Sequence, residues 1–321
     1  MKKEKRLVVK AVPVPLANKH EPVPHNLLPE HEATFGIIAP KGSGKTTLLC
    51  NLLQFYKGYF HMILIFSPTV KNDDKWDWVK EQPLLAENTR LDKALAAIKK
   101  KKDKQDNPVV GKAPKQFDEM VDHTISERAP RKFDPKIPEH CFMHEYNEDD
   151  LREIVDEQNK TISFLKEYGY SKHVAHRLLI IFDDLVGSSL FSNARQSPFK
   201  MLNTNHRHLS ASLWMISQAF TEIPKTVRTN FTVMILFEIF SDGEIKTIME
   251  EYPMGMKKDQ WLQAYQFCTK DDHAFLNYDI KRPKALRVMK NFDQVVYFKE
   301  DSDNGDSESD TEPPRKTRKR K

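Results

Sequence analysis

The chain has 321 residues, 39% of them hydrophobic and 30% charged, which suits one large α/β domain with exposed segments and is too short for two full-sized enzymes. Three unclustered cysteines (Cys50, Cys141, Cys268) exclude a disulfide framework and point to a reducing, intracellular compartment, and the longest apolar runs are far too short to span a membrane. A net charge of +5 permits contact with nucleic acid without requiring it, and the charged start Met1–Arg6 is followed by no long apolar stretch of the kind a signal peptide needs.

Residues 1–33 are basic and then punctuated by Pro13, Pro15, Pro22, Pro24 and Pro29, which predicts an extended N-terminal arm. Thr34–Ile38 reads as a buried strand. It runs into Ala39-Pro-Lys-Gly-Ser-Gly-Lys-Thr-Thr47 and then the apolar helix start Leu48–Leu53. This is the phosphate-loop pattern G-x-x-x-x-G-K-[ST], with Ala39 in place of the first glycine, where only a small residue is needed. The residue types match the chemistry. Gly42 and Gly44 let backbone N–H groups around Ser43 close on phosphate oxygens, Lys45 supplies a charge to the β- and γ-phosphates, and the Thr46 hydroxyl suits Mg²⁺. Thr47 opens the helix whose positive dipole end faces the same anion. The expected ligand is a nucleoside triphosphate.

His61–Phe66 predicts a second buried strand, ending in the turn Ser67-Pro-Thr69. From Val70 to Arg177 the composition turns to lysine and aspartate and reads as a large charged insertion. It carries two helical patterns, Leu91–Lys102 and Asp149–Lys166, the second with Asn147 as N-cap, separated by a loop-rich stretch 105–129. Strand patterns resume at Leu178–Phe182, Ala211–Ile216 and Thr232–Phe237. Ser241…Glu244 resembles a capping box opening a helix, and Ala274–Tyr278 predicts a late strand. The core domain therefore spans 34–299, and 300–321, an acidic block beside a basic one with no apolar residue to pack, is expected to be a disordered tail.

Leu178–Asp184 has the form of a Walker B strand, delivering Asp183 to the coordination sphere of Mg²⁺ and Asp184 to the γ-phosphate as the group that orients or deprotonates water. The strand Leu213–Ser217 stops at Gln218, which would place an amide beside the same phosphate. Arg207 and Arg228, each just before a strand, are candidate arginine fingers projecting to a neighbouring subunit. A rival reading is a GTPase, on Asp184-Leu-Val-Gly187 as D-x-x-G and Thr269-Lys-Asp-Asp272 as a loose T-K-x-D. Another is an ATP-dependent DNA-binding or assembly protein that does not translocate. Cys141…His144 and His173…His176 supply paired ligands with short spacings, as a metal module would, or are surface and packing residues of an irregular insertion.

Taken in order, Gly36–Thr47, Ile63–Thr69, Leu179–Leu185, Arg207–Gln218 and Ile223–Asn230 resemble the DNA-packaging ATPases of poxviruses and other large DNA viruses, a branch of the FtsK–HerA class of P-loop motors. The resemblance implies a P-loop α/β fold with an extra strand between the loop strand and the Walker B strand. It also implies ATP and Mg²⁺ as cofactors, Gln218 as sensor, and Arg207 as the arginine ahead of that strand. A homo-oligomeric ring moving double-stranded DNA, with capsid or portal proteins as partners, would follow. So would a place in the host cytoplasm, the nucleus or the virion. Lys99–Lys102 is a candidate DNA-facing patch.

Overall fold

A computed structural model describes residues 21–105, 133–185, 187–191 and 197–296. Its centre is a nine-stranded sheet in the order β3-β2-β4-β5-β1-β6-β7-β8-β9. The strands are β1 (Thr34–Ile38), β2 (Met62–Phe66), β3 (Phe142–Met143), β4 (Leu178–Asp183), β5 (Ala211–Ser217), β6 (Val233–Leu236), β7 (Leu276–Asp279), β8 (Val288–Lys290) and β9 (Gln294–Val295). The block from β3 to β6 is parallel, and β7, β8 and β9 continue it antiparallel. The helices between and after these strands are α1 (Lys45–Phe55), α2 (Asp74–Lys80), α3 (Thr89–Gln105), α4 (Glu148–Glu167), α5 (Pro198–Asn205), α6 (Lys225–Arg228), α7 (Asp242–Glu251) and α8 (Lys258–Thr269).

A parallel strand buried on both faces must be apolar along nearly its whole length. That is why β1, β4, β5 and β6 are buried at every position and read as predominantly apolar runs. The polar residues among them, Thr34, Asp183, Ser212 and Ser217, are buried as well, and Gly36 has no side chain at all. A Cβ there would stand 2.3 Å from the Phe231 ring, so glycine is what lets that ring lie against β1.

Strand order decides the site. β5 lies between β1 and β4, so an extra strand separates the loop strand from the acidic one, as the resemblance implied. Ile38 is level with Ser217, and Ile216 with Asp183. The phosphate loop, Gln218 and the tandem acids therefore leave the sheet at one height, at the carboxyl ends where open α/β sheets bind ligands.

The region from Val70 to Arg177 differs from a charged insertion laid on the domain. Trp76 and Val79 of α2, Phe142 of the edge strand β3, and Leu151 and Val155 of α4 all belong to the main core. Only the far half of α4 joins α3 and the turn at Val174 in a small separate cluster built on Leu91, Ala94, Ile162 and Leu165. β3 has two residues and α2 seven, too short for either to show a periodicity. The two helices that were legible are present. Asn147 caps α4 by accepting from the Asp149 N–H at 2.9 Å, and Ser241 caps α7 by accepting from the Glu244 N–H.

The described part of the N-terminal arm is anchored. Leu28 is buried, the Tyr56 hydroxyl donates to the Pro29 carbonyl at 2.6 Å, and the His31 ring bonds Ser212 Oγ at 2.9 Å. The loop-rich stretch between the two helices and the charged tail lie outside the described residues.

Candidate nucleotide site

The loop Ala39–Gly44 is shaped by its own backbone before any ligand arrives. Ala39 is fully buried and its N–H donates to the Ser217 carbonyl. Pro40 O accepts from both the N–H and the hydroxyl of Ser43, closing the turn. Gly44, at φ +98°, is the N-cap of α1 and offers no side chain to its orphan N–H groups. With no acidic residue in the first turn of α1 either, the positive end of that helix is uncompensated by the chain and suits an anion.

Lys45, the first residue of α1, turns to the acids. Its Nζ stands 2.8 Å from Asp184 Oδ2 and 3.7 Å from Asp183 Oδ1. Gln218 donates to the same Asp184 oxygen at 2.6 Å. Asp184 is left-handed (φ +55°), a conformation aspartate tolerates better than most residues, and its N–H is held by the Ile216 carbonyl of β5. The bend takes the second acid off the β4 line and towards the loop. Lys45, Asp183, Asp184 and Gln218, expected together from three separate stretches, do meet.

Asp183 is 1% exposed. Burial raises its carboxyl above the usual carboxylate range, opposed by the Lys45 ammonium and by the hydrogen bond from Ser67. Its two oxygens differ. Oδ2 accepts the Ser67 hydroxyl at 2.7 Å, whereas Oδ1 is buried without a hydrogen-bond partner. The cation close to Oδ1 is the Lys45 ammonium, at ion-pair but not hydrogen-bond distance (3.7 Å), so once Lys45 turns to a phosphate a hard cation with oxygen ligands fits the need of this oxygen. Mg²⁺ suits the residues present. Thr46, partly buried in the first turn of α1, is the hydroxyl that the loop pattern supplies.

Some participants have no motif. Ser67 reaches Asp183 across 116 residues of sequence. His273, also left-handed (φ +61°), shares a hydrogen bond with the Ser43 carbonyl at 3.0 Å and stands where a Cβ on Gly44 would meet it at 3.2 Å. Because a carbonyl only accepts, His273 Nδ1 carries the proton. Ser-Pro-Thr was visible as a turn, but nothing local marks it as a neighbour of the acids, and His273 carries no local signal at all.

On the β6 side of the loop a cavity of about 240 Å³ lies among Lys41, Ser43, Glu238, Phe240, Asp272 and His273. Phe240 is 83% exposed at its rim. Of the T-K-x-D residues, Thr269 and Asp272 both line this cavity, Thr269 with its hydroxyl already donated to the Tyr265 carbonyl.

The arginines separate sharply. Arg228 does not project from an edge, as expected of a finger. It is buried, paired with Glu251 at 2.7 Å, donating to the Phe220 carbonyl at 3.1 Å, with its guanidinium 4.3 Å from the Phe220 ring centre. Both terminal nitrogens are thereby taken, Nη1 by the Phe220 carbonyl and Nη2 by Glu251. Arg207 is exposed, ahead of β5 and so at the opposite end of the sheet from the loop, about 20 Å of strand away. At that distance it does not reach its own subunit's loop. Removing one partner of a buried ion pair is costly, so Arg228→Ala is expected to lower unfolding free energy by about 3 kcal/mol, whereas Arg207→Ala should leave it within ~0.5 kcal/mol; denaturant melts of the two variants check this.

Among the described residues no cluster of three or more His, Cys, Asp or Glu side chains is arranged to hold a metal ion, and Cys141 is buried. No helix among them is long and apolar enough to cross a membrane.

A mostly parallel sheet, a glycine loop opening a helix at its carboxyl end, and a loop lysine facing tandem acids across an intervening strand define a P-loop nucleoside triphosphatase. Within that class, the family described as Poxvirus A32 protein matches residues 133–277, which bears out the resemblance to poxvirus packaging ATPases. The match includes Asp183, Asp184, Arg207, Gln218 and Arg228; the phosphate loop lies outside it. No curated protein sequence matches the chain significantly. Among solved structures, it is similar to the genome-packaging NTPase B204 of Sulfolobus turreted icosahedral virus 2 bound to ATPγS (12% identity, 77% of this chain and 92% of that one, TM-score 0.40). It is also similar to B204, the DNA-packaging ATPase of Sulfolobus turreted icosahedral virus (13%, 77% and 92%, 0.44), and to the pCW3 conjugation coupling protein TcpA (13%, 84% and 62%, 0.41).

Proposed function

We propose that this chain is an ATP-hydrolysing motor that moves double-stranded DNA and packages a viral genome. The observation that carries the hydrolytic part is the meeting of Lys45, Asp184 and Gln218 at one carboxylate oxygen, at the carboxyl ends of β1, β4 and β5. Without phosphate, the Lys45 ammonium is neutralised by the acids. An arriving triphosphate offers it a denser anion, so Lys45 leaves Asp184 for the β- and γ-oxygens, with the loop N–H groups from Gly42 to Thr47 around them. Asp184 is then free to accept a hydrogen bond, and the proton, from the attacking water, and the Gln218 amide beside it holds that water or reports the γ-phosphate. Thr46 and Asp183 would hold Mg²⁺, which would supply neutralisation of charge on the phosphates. The cavity on the β6 side receives the nucleoside.

Arg207 of an adjacent subunit is the finger in this reading, since Arg228 is committed to Glu251. Fingers contribute about 10³–10⁵ in rate, so a site completed in trans makes turnover depend on a homo-oligomeric ring. Capsid or portal proteins are the expected docking partners of such a ring, in the cytoplasm or nucleus of an infected cell.

DNA is moved through its phosphates, and Lys99 and Lys100, exposed on α3, are available to that contact. The test is ATP turnover against added duplex DNA. Random-sequence duplex should raise the rate several-fold at about 50 mM salt, irrespective of base composition, with the apparent DNA affinity falling steeply by about 200 mM. A rate indifferent to duplex at low salt would overturn the motor reading and leave a nucleotide-dependent assembly protein.

A further inference from the structure

We propose that Ser67, Thr69 and Trp76 form a positioning relay that turns Asp183 so that one chosen oxygen is left for the cation; the proposal rests on the ATPase reading above. The links are all short. The Trp76 indole N–H lies 3.1 Å from Thr69 Oγ1, Thr69 Oγ1 lies 3.0 Å from Ser67 Oγ, and Ser67 Oγ lies 2.7 Å from Asp183 Oδ2. Ser67 and Trp76 are fully buried.

The direction of the chain follows from its ends. An indole N–H only donates and an ionised carboxylate only accepts. Thr69 Oγ1 therefore accepts from Trp76 and passes its own proton towards Ser67. Ser67 Oγ also faces the Thr69 backbone N–H at 3.3 Å, so its acceptor side is filled and its proton is committed to Asp183. Oδ2 is thereby occupied and the ring of choices for Asp183 is reduced to one. Oδ1, buried and without a hydrogen-bond partner, faces the Lys45 ammonium at 3.7 Å and is the oxygen left for a cation when Lys45 moves to the phosphates. A turn stabilised for its own sake would need neither the indole nor a hydroxyl aimed out of the turn at an acid on another strand. Groups of this kind, which hold a ligating side chain without touching the metal, change metal affinity by about 10–100-fold when removed.

Because the relay acts on orientation, its loss should be read in metal binding rather than in folding or loop–phosphate contact. Mn²⁺, which reports by its electron spin resonance, is titrated into the full chain with a non-hydrolysable ATP analogue, and binding of the analogue is measured separately in EDTA. Ser67→Ala and Thr69→Val are expected to weaken Mn²⁺ uptake by about 10-fold or more. Thr69→Ser, which keeps the hydroxyl, should retain wild-type uptake, and all three variants should bind the analogue in EDTA as the wild type does. Trp76→Phe keeps an aromatic side chain in the core and removes the first donor, so a smaller weakening is expected. Wild-type uptake by Ser67→Ala overturns the relay alone, as does an equal loss of binding in EDTA, which makes the turn merely structural. Absence of Mn²⁺ uptake by the wild-type complex overturns the nucleotide reading and the relay with it.

Discussion

Lys45→Ala is expected to lower ATP turnover in the presence of duplex DNA by about 10³-fold, as loss of a preorganised charge facing the transferred phosphoryl group does. The structure adds a second consequence. In the nucleotide-free protein Lys45 stands between two carboxylates, 2.8 Å from one and 3.7 Å from the other. Removing it leaves Asp183 buried beside Asp184 with no cation, a like-charge pair in which the buried acid is pushed further towards its neutral form. The variant should therefore also melt earlier. Adding Asp183→Asn to Lys45→Ala removes the uncompensated charge and should restore much of the melting temperature without restoring turnover. Steady-state rates and thermal melts of the single and double variants check both halves. Full stability in the single variant would mean that the lysine does not neutralise the acids, and unreduced turnover would remove Lys45 from the site.

Asp184→Asn separates binding from chemistry. Turnover should fall by about 10²–10³-fold, within the range ascribed to a positioned general base, because the amide cannot accept the proton of the attacking water. ATP affinity should move the other way, by a few-fold. In the free protein Asp184 competes with the phosphates for Lys45, and in the complex its charge faces the γ-phosphate; asparagine relieves both. Calorimetric titration with a non-hydrolysable analogue, beside single-turnover rates, reads the two signs independently. Tighter binding with slow turnover is the expected pair. Unchanged turnover would move the catalytic role away from Asp184. The control is Arg207→Ala mixed with wild type, which should depress the rate of wild-type subunits if the finger acts across an interface.

The chemistry of the loop and the identity of the main strands were determined by the sequence alone, for a local reason. Strands buried on both faces must be predominantly apolar, so β1, β2, β4, β5 and β6 stand out as Thr34–Ile38, His61–Phe66, Leu178–Phe182, Ala211–Ile216 and Thr232–Phe237. A loop that closes on phosphate must take positive φ where it turns, and Gly42 and Gly44 announce that. Caps are equally local, and Asn147 and Ser241 are where their residue types put them.

What only the tertiary structure decided are the relations between segments remote in the chain. That β5 lies between β1 and β4 was expected from the family resemblance and not from any residue of β5, because it depends on which edges pair. Arg207 and Arg228 look alike in sequence, each a few residues ahead of a strand. Packing separates them, because Glu251 and the Phe220 ring enclose one and nothing encloses the other. The crossover between β2 and β4 reads as charged and loop-rich, since α2 and β3 are too short for a period to register. Its Trp76, Phe142 and Val155 nonetheless complete the core. Ser67 and Asp183 are 116 residues apart, and their 2.7 Å contact exists only because β2 and β4 pair in register, Phe66 level with Phe182. Burial and backbone geometry leave marks residue by residue, whereas a hydrogen bond between strands is a property of register, which the chain expresses only once folded.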